Sequence, residues 1–127
     1  GPMGRILIDG EPGNEIVADL TPVAGETVIV KPGKGAFYAT PLDAVLKRLR
    51  ATHLIFAGVT TEVCVHSTLR EAVDRGYACV TLSDATAASE PALQTPALAM
   101  IGVEGGIFGS VMNTEDVLIH LRQEASA

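Results

Sequence analysis

The stretch that decides the fold is HLIFAGVTTEVCVHSTLREAVDRG, residues 53–76. Its first seven residues, His53–Val59, are apolar on both faces, which is the pattern of a strand inside a covered parallel sheet. From residue 61 to 75 apolar residues recur at helical spacing, and Gly76 supplies a helix stop. A buried strand that passes directly into an amphipathic helix is typical of a parallel α/β fold.

Further segments continue this alternation. We predict three more strands and one more helix, at Arg5–Asp9, Thr27–Val30, Cys79–Ser83 and Pro41–Arg50 respectively. Thr95 and Pro96 suit the N-cap and first position of a helix that runs to Val103.

The C-terminal part predicts a turn, a strand and a helix. The glycines of EGGIFGSV, residues 104–111, predict a turn that leads into a last short strand. NTEDVLIHLRQE, residues 113–124, predicts a final helix capped by Asn113 or Thr114. The whole order predicts an α/β fold with a doubly wound parallel sheet, in a single domain over residues 1–127.

The N-terminal residues do not fit this alternation. RILIDGEPGNEIVADLTPVAGE, residues 5–26, is rich in glycine, proline and acidic residues. It leaves no room for the helix that follows the first strand of a doubly wound sheet. We therefore expect the domain to be N-terminally incomplete, lacking its first strand and helix.

Composition and charge narrow the class of protein. With 47% hydrophobic and 19% charged residues the chain is not of the disordered class. The net charge of -6, without a Lys/Arg cluster, argues against nucleic acid or a membrane as partner. We expect no signal peptide, because the first residues lack the basic-then-apolar pattern of one. The two cysteines match neither a disulfide framework nor a metal site. We expect a cytoplasmic protein without a bound metal.

Cys64 lies in the first turn of the predicted helix, at the carboxyl end of a strand, where ligands gather in such sheets. Unpaired N–H groups and the positive end of the helix dipole favour the thiolate there, and the thiolate is the nucleophilic form. The same N–H groups can receive an oxyanion. The alternative is a buried structural cysteine, and the residues alone leave both open. Cys79, in a predicted strand, is assigned the structural role.

Lys31 follows the predicted strand Thr27–Val30, at the edge of the sheet that also carries Cys64. Pro32 biases Lys31 toward an extended backbone. An ammonium group beside the thiol would favour the thiolate further. His66 is two positions from Cys64 on one helix, where side chains do not face each other, so we expect no Cys–His pair.

Four segments together resemble the isochorismatase-like cysteine hydrolase superfamily: VIVKPGKGAFYATPLDAVL, LIFAGVTTEVCVHSTLREAVDRGY, LSDATAAS and MIGVEGGIFGSVMNTEDVL. The resemblance covers nearly the whole chain, from about Gly4. The order of the segments, the spacing between Lys31 and Cys64 and the GVTTEVCV run all agree with it. The form RILIDGEPGNEIV followed by KPGKGAFYAT is most similar to amidases acting on small urea-type amides, such as biuret hydrolase.

The resemblance implies a catalytic triad of aspartate, lysine and cysteine, in which Lys31 and Cys64 take the last two places. It implies a cis peptide bond between Val59 and Thr60. It also implies an oxyanion hole formed by the backbone N–H groups of Thr60 and Cys64. We expect no cofactor.

Three further residues, Lys34, Phe37 and Glu104, match substrate-binding positions. Biuret-type relatives carry a neutral amide in place of Glu104, which leaves the identity of the amide open. The family aspartate ends the first, central strand. Asp9 does not match it, because Asp9 lies in a segment that corresponds to a later part of family sequences.

The resemblance implies that a cysteine nucleophile cleaves a small amide or urea-type C–N bond through a thioester. Without a matched aspartate, we expect this chain alone to be nearly inactive. The alternatives are a non-catalytic paralogue or assembly subunit, and a thiol redox sensor that uses Cys64. A missing central strand would expose sheet edges and apolar faces, so we expect a homo-oligomer.

Overall fold

The computed structural model describes residues 3–127. They form two compact units, one that ends at Val30 and one that runs Lys31–Ala127. The first unit contains two short 3₁₀ helices, Pro12–Asn14 and Ala18–Leu20. No helix within residues 3–127 has both the length and the apolar character that crossing a membrane requires.

The second unit is built on a parallel sheet of three strands, in the order β1 (His53–Val59), β2 (Ala78–Ala87) and β3 (Ser110–Met112). Helices alternate with these strands: α1 (Leu42–Arg48), α2 (His66–Asp74), α3 (Pro91–Ile101), the single turn α4 (Val103–Gly106) and α5 (Thr114–Ala125). The predicted α/β class with a parallel sheet is confirmed.

Short-range signals in the sequence place the ends of several helices. Gly76 has a φ of +92°, a left-handed conformation that stops the chain from continuing α2. Asn113 is the N-cap of α5, because its side chain accepts a hydrogen bond from the N–H of Asp116. Both features agree with the sequence prediction.

Strand β2 is longer than predicted and is bulged where it faces β1. Phe56 of β1 pairs with Thr81, whereas Gly58, only two residues further, pairs with Thr86. The extra β2 residues bend the strand, and the Thr86 hydroxyl donates to the Leu82 carbonyl across the bulge at 2.7 Å. The bulge brings Thr86 beside the C-terminal end of β1, where the candidate site lies.

The hydrophobic core of the second unit lies between the sheet and its helices. Its buried members are Phe37, Phe56, Val65, Leu69, Ala72, Cys79 and Ile101. Leu69 of α2 and Ile101 of α3 are fully buried. Cys79 is therefore a core residue, as predicted, and its burial raises the pKa of its thiol.

The strands predicted at Arg5–Asp9 and Thr27–Val30 do not form within residues 3–127, and both predictions are wrong. Leu7 has a left-handed φ of +52°, and the N–H of Glu11 donates to the Ile8 carbonyl to close a turn. An extended segment needs a neighbouring strand for its backbone hydrogen bonds. Within residues 3–30 no second extended segment offers that pairing.

The predicted start of α3 at Thr95 and Pro96 is also wrong. The helix begins at Pro91, with Glu90 as its N-cap, and Pro96 lies inside it. Pro91 and Pro96 are both compatible with a first helical position, and the earlier proline takes it. Pro96 has no N–H to donate to the carbonyl of Ala92.

Strand β1 is less covered than its apolar sequence predicts. Ile55 is 48% and Val59 is 67% exposed. Within residues 3–127, β1 is hydrogen-bonded along one edge only, to β2. The expectation that both faces of β1 are buried is therefore wrong for the described part of the chain.

Candidate active site

Cys64 lies in a tight turn that connects β1 to α2. Residues Thr61–Val65 form a π-helical turn, and the Thr60 carbonyl accepts hydrogen bonds from the N–H groups of Val63 and Val65, each at 3.2 Å. The peptide bond between Val59 and Thr60 is cis, at the place that the resemblance implies. Cys64 is half-buried and carries a free thiol. The turn therefore presents the sulfur at the carboxyl end of β1.

The Lys31 ammonium lies beside this sulfur. Its Nζ is 3.8 Å from Cys64 Sγ, and it donates to the carbonyls of Gly33 at 2.8 Å and Lys34 at 3.0 Å. An ammonium has three N–H donors, and these three acceptors use all of them. The two carbonyls hold the positive charge over the thiol. The structure thus brings together the two residues that the sequence indicates as nucleophile and cation.

One hydroxyl connects the lysine loop, residues 31–40, to the helix that follows Cys64. Thr68 Oγ1 donates to the Cys64 carbonyl at 2.8 Å and accepts from the N–H of Ala36 at 3.0 Å. Gly35 lies close to α2 as well, since a Cβ added there would be 3.8 Å from the Cβ of Ser67. The loop that carries Lys31 is therefore seated directly on α2.

A second set of side chains connects the Cys64 turn to β2 and α3. Thr61 Oγ1 donates to Gln94 Oε1 at 2.7 Å, and Gln94 Nε2 donates to the carbonyl and hydroxyl oxygens of Thr86 at 3.1 and 3.2 Å. Glu62 Oε1 accepts from the N–H of Ser89 at 2.9 Å. Hydrogen bonds from Ser89 and from the backbone of Glu62 hold the pKa of the Glu62 carboxyl below its usual value.

His66 takes no part in the pairing of Lys31 and Cys64. It is buried, and its Nε2 donates to the Ala97 carbonyl at 2.7 Å, because a carbonyl oxygen can only accept. A cavity of about 330 Å³ near His66 is lined by Glu62, Arg70, Leu93 and Met100 among others, and its lining includes neither reacting group.

The three residues matched to substrate-binding positions lie in different surroundings. Lys34 is exposed, and its backbone carbonyl, not its side chain, contacts the Lys31 ammonium. Phe37 is only 5% exposed and packs in the core against Tyr77, with the Arg75 guanidinium 4.7 Å from its ring centre. Glu104 has a left-handed φ of +52° in α4. The role of all three toward a substrate stays a prediction.

Sequence reasoning missed Thr68 and Gln94 as parts of the site. Thr68 is one helical turn after Cys64, so its spacing could have indicated a bond back to the Cys64 carbonyl. Its bond to Ala36 and the bond between Thr61 and Gln94 join residues 32 and 33 positions apart. No local pattern predicts those two pairings.

A free cysteine under a lysine ammonium, at the carboxyl end of a parallel strand, defines a class of α/β protein with a thiol-based candidate site. The chain belongs to the isochorismatase family, because the model of the isochorismatase domain matches residues 1–116.

Curated relatives include ureidoacrylate amidohydrolases. The chain is 37% identical over 124 residues to the enzyme named RutB from Cronobacter sakazakii, in a match that covers 98% of the chain and 53% of the relative. It is 44% identical over 95 residues to the enzyme of the same name from Methylorubrum extorquens, in a match that covers 74% of the chain and 38% of the relative. The chain thus spans about half the length of the curated relatives it matches.

Solved structures of similar fold include two hydrolases. An isochorismatase-like hydrolase from Alkaliphilus metalliredigens superposes with a TM-score of 0.87 at 28% identity, covering 93% of this chain and 63% of the other. N-carbamoylsarcosine amidase from Thermoplasma acidophilum superposes with a TM-score of 0.77 at 25% identity, covering 88% of this chain and 62% of the other.

Proposed function

We propose that the chain belongs to a cysteine amidohydrolase that cleaves a C–N bond of a small ureido (N-carbamoyl) compound or a related amide. The observation that carries the proposal is the Lys31 ammonium 3.8 Å from the half-buried Cys64 sulfur. An adjacent cation favours the thiolate, which is the nucleophilic form. The compounds named in ureidoacrylate amidohydrolase and N-carbamoylsarcosine amidase both carry a terminal urea group, which supports a ureido compound as the substrate class.

The proposed reaction has two steps. The Cys64 sulfur attacks the carbonyl carbon of the terminal urea group, and the thiol proton passes to the departing nitrogen, which leaves as ammonia. Water then attacks the carbonyl carbon of the S-carbamoyl thioester, the C–S bond breaks, and one water proton returns to the Cys64 sulfur. The released carbamic acid loses CO₂ to leave an amine. The backbone N–H groups of Thr60 and Cys64 are proposed to stabilise the oxyanion of each step.

The rate of the isolated chain should be low. In the family an aspartate accepts the thiol proton, and no residue of this sequence matches its position. Within residues 31–127, no carboxylate forms an ion pair with Lys31. Removing the base from such a unit lowers the rate by several orders of magnitude.

The proposal is tested by ammonia release from ureidoacrylate, N-carbamoylsarcosine, biuret and nicotinamide, with mass spectrometry of Cys64 in parallel. We expect slow acylation of Cys64 by a ureido compound and ammonia release far below that of a full-length relative. Cys64→Ala must abolish both signals. Acylation of the chain at sites other than Cys64, or ammonia release that survives Cys64→Ala, contradicts the proposal.

The half-buried Cys64 beside an ammonium also supports thiol redox sensing as a second function. Its signature would be sulfenic acid at Cys64 at low peroxide concentration, reversed by a thiol, without acylation by any amide of the panel. A non-catalytic subunit would show neither reaction.

We also propose that the chain self-associates through β1 and that the protein is cytoplasmic. Exposed Ile55 and Val59, together with the edge of β1 that is unpaired within residues 3–127, support pairing with a second copy of the chain. The two free thiols, Cys64 and Cys79, support a reducing compartment. Sedimentation equilibrium should give a dimer or larger species. A monomer at high protein concentration would count against the association.

A further inference from the structure

We infer that Thr68 is a positioning residue, whose hydroxyl sets the distance between the Lys31 ammonium and the Cys64 sulfur. This inference rests on the proposed function, because it concerns how the nucleophile and its cation are held. Thr68 is not a catalytic residue, since among the described residues its hydroxyl bonds to backbone groups and not to the sulfur or the ammonium.

The Thr68 hydroxyl uses its donor and its acceptor capacity on two different segments. It donates to the carbonyl of Cys64, one helical turn earlier, and it accepts from the N–H of Ala36 in the lysine loop. A hydroxyl has one proton to donate, so the bond to Cys64 fixes its direction and turns a lone pair toward Ala36. One atom thereby sets the separation between the backbone of the nucleophile and the backbone of the loop.

The ammonium follows the loop because it is bonded to it. Lys31 Nζ is held by the carbonyls of Gly33 and Lys34, which belong to the same loop. A displacement of the loop relative to α2 therefore moves the ammonium relative to the sulfur. Besides the contact of Lys31 with Cys64, the bond from Ala36 to Thr68 is the hydrogen bond that joins this loop to the Cys64 helix within residues 31–127.

Packing alone does not fix the loop to the same degree. Phe37 anchors the end of the loop in the core by stacking on Tyr77, with ring centres 6.3 Å apart. Apolar packing of this kind is non-directional, whereas the hydrogen bond at Thr68 restricts both distance and angle. The hydroxyl is thus the directional restraint on the position of Lys31.

The test compares Thr68→Val, which removes the hydroxyl at nearly constant shape, with Thr68→Ser, which keeps it. The readout is the rate of iodoacetamide alkylation of Cys64 between pH 5 and 10, measured by peptide mass spectrometry. We expect Thr68→Val to slow alkylation at neutral pH by about fivefold, the size of one lost hydrogen bond. Thr68→Ser should restore the rate to within about twofold.

Cys79 and Thr81 provide the controls in the same samples. Cys79 is a buried core thiol, so its alkylation reports unfolding of the variant. Thr81→Val makes the same chemical change at a fully buried threonine of β2 and should leave the Cys64 profile unchanged. If Thr68→Val exposes Cys79, Thr68→Ala is measured in its place with the same expected loss.

A cycle with Lys31→Met separates this inference from the proposed function. If Thr68 acts through Lys31, Thr68→Val must have no further effect on Cys64 alkylation once the ammonium is absent. If Lys31→Met slows Cys64 alkylation and Thr68→Val does not, the role of Thr68 is overturned while the proposed function stands. If Lys31→Met itself leaves Cys64 alkylation unchanged, the pairing behind the proposed function is refuted. Equal loss in Thr68→Ser and Thr68→Val also overturns the inference, since the hydroxyl would then be irrelevant.

Discussion

Substitution of Gly109 gives a quantitative test of how closely β3 packs against β2. Its φ is +102°, and a Cβ added there would lie 2.9 Å from the carbonyl carbon of Cys79 and closer still to its oxygen. Cys79 is the β2 residue before Val80, which pairs with Ser110 at the start of β3. Gly109→Ala must therefore push the two strands apart or distort the turn that precedes β3.

Two costs add at this position. An alanine at positive φ costs roughly 1–2 kcal/mol of folding free energy. Forcing a methyl group against a packed backbone costs about 1–3 kcal/mol more. The smaller entropy of the unfolded alanine chain offsets about 0.4–1 kcal/mol of this sum. We expect Gly109→Ala to lower the free energy of unfolding by roughly 2–4 kcal/mol.

Gly106→Ala is the matched control. Gly106 has a φ of +97°, and an added Cβ would meet nothing within 4 Å among the described residues. This variant therefore carries the backbone cost without the contact, and it should lose only about 1 kcal/mol. The difference between the two variants measures the close approach of Gly109 to Cys79.

The assay is urea unfolding followed by far-UV circular dichroism, with the free energy of unfolding extrapolated to zero urea. Equal losses in the two variants would refute the reasoning, because they would show that β3 can move away from β2 at no cost. A stabilised Gly109→Ala variant would contradict the packing of the turn itself.

Three further predictions concern buried and capping groups in the second unit. Thr61→Val should lower the free energy of unfolding by about 1–3 kcal/mol, because it breaks the side-chain hydrogen bond to Gln94. Thr81→Val should be neutral or stabilising, since the Thr81 hydroxyl has no partner within the described residues. Comparable urea curves for the two variants would contradict this prediction. Hydrogen bonds from the Thr114 hydroxyl and N–H groups lower the pKa of the Asp84 carboxyl. The Asp84 carboxylate therefore stabilises the fold at pH values above its unfolded pKa of about 3.9. It loses that contribution as the pH falls through its lower folded pKa. Asp84→Asn should flatten the decline in urea midpoint below about pH 4, and an unchanged decline would exclude the role of Asp84. Leu69→Ala, at a fully buried site, should cost about 2–5 kcal/mol in the same urea measurement, and a loss below that of an exposed leucine would contradict its place in the core.

The features that the sequence predicts correctly depend on neighbours a few residues away. The strand at His53–Val59, the glycine stop at Gly76 and the cap at Asn113 each combine a local backbone preference with a local pattern. Cys64 and Lys31 can be identified because both follow apolar runs, although the run before Lys31 is not a strand. Position at the end of an apolar segment indicates the two residues as candidates, and their roles stay a prediction.

The failures have a common physical cause. An apolar run such as Arg5–Asp9 becomes a strand only if a neighbour accepts its backbone hydrogen bonds, and the sequence of the run does not contain that information. The prediction of where α3 starts is wrong for a similar reason. Pro91 and Pro96 both suit the first position of a helix, and the tertiary structure selects between them.

The two reacting groups are held unequally. The turn of Cys64 is bonded to Gln94 of α3 through Thr61 and to the segment between β2 and α3 through Glu62. The loop of Lys31, in contrast, has its directional bond to α2 only at Thr68 among the described residues. A perturbation of the loop should therefore move the ammonium while the sulfur stays in place. It follows that changes at Thr68 should alter thiol reactivity through the lysine loop, whereas changes at Gln94 should act on the Cys64 turn itself, because Gln94 supports the turn and the β2 bulge together.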